Sequence, residues 1–254
     1  MWFKLSLAVC LFLISNGVGS TDYCSDDLCP PMSKHIACEN YGDFDESCGA
    51  GAAILKFSMH LRVQLLSSLN SFRNGIALGR YPPFRPAARI TTLRWNEELA
   101  GLAKFALRGC DNLQEYCSNA NAFKYVSYIY GSTRWVHHEK TAESVLQYVL
   151  KFWIDDNKRP PKDGKCRGYF TQLVQDQVDS IGCALIERHA GSGSQHFYAV
   201  LCQFSRGKIT SQRVYEESSH PGERCSSGTH ATSQGLCSPE EHVNANALQL
   251  ATLH

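Results

Sequence analysis

The sequence predicts a layered domain of the α+β or α/β kind, on three observations. Apolar residues recur at helical spacing in three separate stretches, two runs rich in apolar and aromatic residues follow them, and cysteines are dense throughout. Helices with one apolar face need a sheet, or other helices, to bury it against. Dense cysteines in an oxidising compartment add a disulfide framework to that core.

The first stretch sets the compartment. Met1 to Ser20 carries one early cation, Lys4, then an apolar run from Leu5 to Ile14, then the small residues Val18, Gly19 and Ser20. That order is a secretory leader; a spanning helix needs roughly 20 apolar residues. Cleavage after Ser20 would release a secreted, extracellular protein that begins at Thr21. Residues 21–51 are rich in cysteine, Asp, Pro and Gly and short on regular pattern. Such an extension is expected to hold its shape only through cross-links to the body.

The helices come next. From Ala52 to Leu78 the residues Leu61, Leu65, Leu69, Phe72 and Ile76 keep helical spacing, and Gly79 ends the pattern. Pro82, Pro83 and Pro86 hold the following stretch irregular. Asn96 is a good cap and Glu97 and Glu98 suit the positive helix start; Trp95, Leu99, Leu102 and Ala106 line one side before Gly109. A third helix is predicted from Thr141 to about Asp156, with Val145, Tyr148, Val149 and Phe152 on its apolar face and Pro160 and Pro161 beyond it. Phe170 to Val174 reads as a short helix.

Two strands follow, Ser180–Arg188 and His196–Phe204, joined by a hairpin loop at Gly191-Ser192-Gly193-Ser194. After Phe204 the composition turns polar, and Val243 to His254 reads as a frayed tail. The predicted organisation is a leader at 1–20, an extension at 21–51, a main domain at 52–215 and a C-terminal extension at 216–254.

Composition narrows the function. A net charge of +1 with no long basic run argues against nucleic acid or an anionic membrane surface as the main partner. There is no N-x-S/T sequon. One of the 12 cysteines, Cys10, leaves with the leader, and the odd number remaining implies one thiol that is free or intermolecular. The cysteines at 24, 29, 38 and 48 contain no C-x-x-C knuckle, and no paired histidines follow at finger spacing, so they do not read as zinc ligands. His137-His138-Glu139 places adjacent histidines that point apart, as in a solvated loop. His189 and His196 flank the hairpin loop and are expected to be exposed. No G-x-S-x-G elbow is present, and Gly191-x-Gly193 is too short for a phosphate loop.

Several motifs carry a family resemblance. Gly168-Tyr169-Phe170-Thr171-Gln172-Leu173-Val174 is similar to the G-H-[FY]-T-Q-[LMV]-V signature of the CAP superfamily. That superfamily groups cysteine-rich secretory proteins, insect antigen 5 allergens and plant pathogenesis-related proteins. Tyr23-Cys24-x4-Cys29 with His35-Ile36-Ala37-Cys38 resembles the N-terminal extension of the antigen 5 group, and Leu69-Asn70-Ser71-Phe72-Arg73 its H-N-x-[FR]-R. Pro86-Ala87-Ala88 followed by Leu93 to Ala100, and Tyr198-Ala199-Val200-Leu201-Cys202-Gln203-Phe204, match further signatures. The resemblance spans roughly residues 23 to 240. It implies an α-β-α sandwich of the CAP type with a disulfide-tethered N-terminal extension. It also implies the pairs Cys24–Cys38, Cys29–Cys117, Cys48–Cys110, Cys183–Cys202 and Cys225–Cys237, leaving Cys166 unpaired and able to link two copies.

Relatives arrange two histidines and two acids around a cleft, a set able to hold a divalent metal. By resemblance those positions are Leu69, Tyr128, Asp156 and Tyr169 here, and only Asp156 keeps a ligand-capable group. The resemblance therefore implies no metal or cofactor at the cleft and no catalysis. Leu69 and the two tyrosines read either as packing or as the lining of an aromatic pocket for an apolar ligand. The expected function is a secreted, non-catalytic protein that binds an extracellular protein or a small, lipid-like ligand. The alternatives are a hydrolase or metal-dependent enzyme in the same cleft, and an ion-channel modulator. The latter needs a cysteine-rich C-terminal module, and only Cys225 and Cys237 follow the core.

Overall fold

A computed structural model describes residues 21–112, 116–158, 168–190, 194–207, 209 and 213–248. The leader, Cys166, the loop glycines Gly191 and Gly193 and the last six residues of the tail lie outside the described residues.

In chain order the elements are β1 (Ala53–Leu55), α1 (Met59–Ala77), β2 (Arg94–Trp95), α2 (Glu97–Leu107), β3 (Ser127–Ser132), α3 (Ala142–Asp155), α4 (Gly168–Val174), β4 (Ser180–His189) and β5 (His196–Phe204). Each long helix starts on a side-chain cap. Ser58 accepts from the Leu61 amide at 3.3 Å, Asn96 from Leu99 at 2.9 Å and Thr141 from Ser144 at 3.2 Å, which satisfies amides the helix cannot.

The strands form one sheet in the order β1-β4-β5-β3, with β2 parallel to β4 and the other pairs antiparallel. Alternation along β4 and β5 sorts their side chains to two faces. Cys183, Leu185, Tyr198, Val200 and Cys202 join the apolar core made with α1, α3 and α4. Ala184, Ile186, Ala199 and Leu201 face Ala103, Ala106 and Leu107 of α2. The result is an α-β-α sandwich. Gly182 is needed for it: a Cβ there would lie 2.1 Å from the Ala100 amide nitrogen, so α2 can rest its first turn directly on β4.

The structure departs from the sequence reading in four places. Residues 53–55 are a strand ahead of α1 rather than part of the helix, and β2 and β3 add two strands the pattern did not mark. On α3, Tyr148 and Phe152 point outward, 57% and 48% exposed, while Leu146, Leu150 and Trp153 are buried beside Val145 and Val149. The buried stripe lies one position round from the expected one, because aliphatic residues and Trp153 face the sheet. The tail is docked at its start: Ala245 is buried, and Arg206 donates to the Ala245 and Ala247 carbonyls at 2.5 and 2.9 Å. The fourth departure, at His189 and His196, concerns the site below.

Both extensions lie on the body. Disulfides join Cys24 to Cys38, Cys29 to Cys117, Cys48 to Cys110, Cys183 to Cys202 and Cys225 to Cys237. The first staples residues 21–51 internally, and the second and third hold them against the segment after α2. Cross-links are not the only ties, since the Ile36 amide donates to the Cys117 carbonyl at 2.9 Å. At the other end, the Cys237 amide donates to the Ile90 carbonyl at 2.9 Å, and the buried Glu241 carboxylate accepts from the Ser226 and Ser227 amides at 3.2 and 2.7 Å.

Candidate functional site

The motif at residues 69–73 lies on α1. Asn70 reads the backbone of Leu93 twice, donating to its carbonyl at 3.1 Å and accepting from its amide at 2.8 Å. Arg73 is fully buried and donates to the carbonyls of Thr91, Leu173, Gln175 and Val178 at 2.7 to 3.2 Å. Burial lowers its pKa to about 9, while Asp176 and Asp179 favour the charged form. The Asn-x-x-Arg spacing puts both side chains on one helix face. They fix α1 to the segment before β2 and to the stretch from the end of α4 to β4.

The four positions that the resemblance assigns to the cleft take different fates. Leu69 is completely buried in the core shared by α1, α3 and α4. Tyr169, on α4, is half-buried against the same core, and its hydroxyl donates to the Tyr130 carbonyl at 3.0 Å. Burial raises its phenol pKa, and Tyr128 nearby adds to the rise. Tyr128, on β3, turns to the α2 side of the sheet and stacks on Tyr116 with centroids 5.5 Å apart. Asp156 caps the C-terminus of α3 and is exposed. Leu69 and Tyr169 thus meet in one core layer, Tyr128 approaches from the sheet edge, and Asp156 stands at the surface.

A groove of about 820 Å³ opens elsewhere, between the N-terminal extension and the segment after α2; Lys34, Glu39, Asp43 and Tyr116 are among its lining. Met32 and Tyr41, almost fully exposed, stand at it. Its shape depends on His35, which is buried and stacks on Tyr23 with centroids 4.8 Å apart. His35 Nδ1 accepts from the Ala37 amide at 3.0 Å, so Nε2, 2.8 Å from the Asn119 carbonyl, carries the proton. Burial lowers the imidazole pKa, which favours this neutral form. Cys29 and Cys117 lie beside His35 as well, but they are bonded to each other.

The hairpin histidines are not exposed as expected. The side chains of His189 and His196 are 30% and 16% accessible, and both face Glu187. The hairpin register sets His189 opposite His196 and Glu187 opposite Tyr198, so alternation brings all four side chains to one face. Sequence reasoning missed Glu187. The signal for it was Glu-x-His on one strand facing His-x-Tyr on the next, which shows only once the register is known.

Comparisons with known proteins agree with this architecture. The model of the CAP family, described as the cysteine-rich secretory protein family, matches residues 66–204. An antigen 5 like allergen, Cul n 1, from Culicoides nubeculosus is 32% identical over 213 residues, covering 77% of this chain and 94% of its own. Venom allergen-1 from Aedes aegypti is 29% identical over 236 residues, covering 89% and 91%. The solved structure of BmVAL-1 superposes with a TM-score of 0.52 at 17% identity, over 71% of this chain and 95% of that one. The motifs, the sandwich and these matches converge on one conclusion: the chain belongs to the CAP family of cysteine-rich secretory proteins, among the antigen 5-like members.

Proposed function

We propose that this chain is a secreted, non-catalytic binding protein whose partner is another extracellular protein. The observation that supports this most is the state of the two positions where relatives carry histidine. Leu69 is sealed in the core and the Tyr169 hydroxyl is committed to the Tyr130 carbonyl. Neither group accepts a proton or ligates a metal near neutral pH, so neither supplies the general base that a histidine would. The leader-like first 20 residues and the disulfides support secretion. With Leu69 sealed, the apolar-ligand reading loses its entrance at that position. Met32 and Tyr41, exposed beside a charged groove, offer the apolar and aromatic anchors that protein interfaces use. The organisation that goes with this reading is a main domain at 52–215 flanked by 21–51 and 216–254. Once Cys10 leaves with the leader, the cysteine left over from the five bridges is Cys166, and through it the secreted protein links two copies; a dimer band on non-reducing electrophoresis that Cys166→Ser removes tests this.

The main test is a screen of the purified secreted protein against extracellular receptor ectodomains, run beside peptide and ester substrates. The expected result is saturable binding to an ectodomain that weakens about tenfold or more in Met32→Ala/Tyr41→Ala and is unchanged in Tyr169→Phe, with no turnover. Turnover that disappears in Asp156→Asn overturns the non-catalytic reading. A lipid retained in native mass spectrometry, with no ectodomain bound, overturns the protein-partner reading.

A further inference from the structure

The loop end of the β4–β5 hairpin brings together three metal-ligating side chains, none of them at a position that the resemblance assigns to the cleft. His196 Nδ1 lies 2.9 Å from Glu187 Oε1, and His189 Nε2 lies 3.8 Å from the same oxygen. The three ligand atoms all lie within 4.8 Å of one another, and the two imidazoles meet edge to face with centroids 4.8 Å apart. Zinc takes His nitrogen and carboxylate oxygen at roughly 2.0–2.2 Å, which puts neighbouring ligand atoms of a tetrahedral site about 3.3 Å apart. Shifts of about an ångström or less in side-chain position would bring this trio to that spacing.

The surroundings are built as well. The Tyr198 ring is buried and its hydroxyl donates to Glu187 Oε1 at 2.8 Å while accepting from the Lys140 amide at 3.0 Å. Glu187 is therefore held from behind by a group that is itself held, as the outer partners of metal ligands are. The backbone adds rigidity, since the ligands sit on paired strands and Val136 pairs with His196 on the far side. The side-chain accessibilities of Glu187, His189 and His196, 14%, 30% and 16%, leave the cluster partly open to solvent. Two imidazoles and one carboxylate with an open position is the donor set of zinc and its borderline neighbours, and hard cations such as calcium prefer all-oxygen sites.

We propose that Glu187, His189 and His196 form a zinc site at the hairpin end, with Tyr198 as its positioning residue and a fourth coordination position facing solvent. It is separate from Leu69, Tyr128, Asp156 and Tyr169, so it stands or falls apart from the reading of the cleft. Bound metal would pin the tips of β4 and β5 to the chain that enters α3 through Tyr198 and Lys140.

The test uses the full secreted protein, stripped with chelator and titrated with zinc at pH 7.5. One equivalent should bind with a dissociation constant on the order of 1 μM or tighter. His189→Ala, His196→Ala and Glu187→Gln should each weaken it about tenfold or more, and Tyr198→Phe about tenfold. His137→Ala, next to the cluster and exposed, should leave binding unchanged. A measurement on wild type alone covers variants that fail to fold: zinc should protect His189 and His196, but not His137, from diethylpyrocarbonate when the adducts are mapped by mass spectrometry. Binding weaker than about 100 μM, binding unaffected by His189→Ala and His196→Ala, or absence of protection at both histidines overturns the site.

Discussion

Arg73 shows what a single residue of the family motif does. Its guanidinium lies in the core and serves four backbone carbonyls from two separate segments, Thr91 before β2 and residues 173–178 between the end of α4 and β4. The cost of burying that charge is met by hydrogen bonds and by Asp176 and Asp179 nearby. Removing the side chain strands those carbonyls and leaves a cavity, so Arg73→Ala should cost about 3–5 kcal/mol. Arg73→Lys keeps the charge but supplies three donors from a compact head instead of a planar fork, so it should recover less than half of that loss. Urea denaturation of the secreted variants decides it, and a lysine form as stable as wild type would contradict the account. Leu69 and Tyr169 could be set at the family's cleft positions by resemblance, because they sit at fixed offsets inside motifs. Glu187 was not legible: a lone acid on a strand has no sequence signature until pairing brings it opposite other ligands.

At the scale of elements, the helices were legible and the short strands were not. Helical spacing repeats over three to five turns, and caps mark the starts; Asn96 is an N-cap in the structure as in the sequence, and Thr141, read as the first residue of its helix, is the N-cap there. Strands of two and three residues give too few alternations to register, and in β3 the unbroken run Tyr128-Ile129-Tyr130 hides the period of two. The Gly182 contact was likewise invisible, since it depends on where α2 lands. Gly182→Ala should push against the Ala100 and Asn96 backbone, which cannot rotate away as a side chain can. A loss of about 3 kcal/mol or more is expected, at the high end for overpacking, and thermal melts should show it; a shift within error would mean α2 can slide. The N-terminal extension carries a pH dependence of its own. His35 is held neutral with its pKa below the ordinary 6.5, so the unfolded extension binds more protons than the folded one in mildly acid solution. The stability from His35 is complete above 6.5 and lost as pH falls through the folded pKa. Hydrogen exchange at Ile36 and Cys117 should therefore speed up from pH 7.5 to pH 5 beyond the intrinsic chemical rate. His35→Gln should flatten that change, and equal slopes for the two would refute it.

Across the whole molecule the cross-links divide the labour unevenly. Cys29–Cys117 and Cys48–Cys110 close spans of 88 and 62 residues, whereas Cys24–Cys38, Cys183–Cys202 and Cys225–Cys237 close 14, 19 and 12. A longer closed span removes more freedom from the unfolded chain, so loop entropy gives about 4.6 kcal/mol for the longest bridge and about 2.8 for the shortest. Local packing works the same way here. Cys117 is buried beside His35 under the extension, while Cys225 lies in an outer loop already held by Glu241. Losing Cys29–Cys117 should free the extension and with it the groove that Met32 and Tyr41 border. The double variant Cys29→Ala/Cys117→Ala is thus expected to lose about 2 kcal/mol more than Cys225→Ala/Cys237→Ala, and to lose binding at the groove while the second keeps it. Non-reduced peptide mapping must first return the five pairs on the wild-type protein. Melting and binding of the two variants then rank them, and equal losses, or a groove that survives without the long bridge, would show that the extension is held by its hydrogen bonds alone.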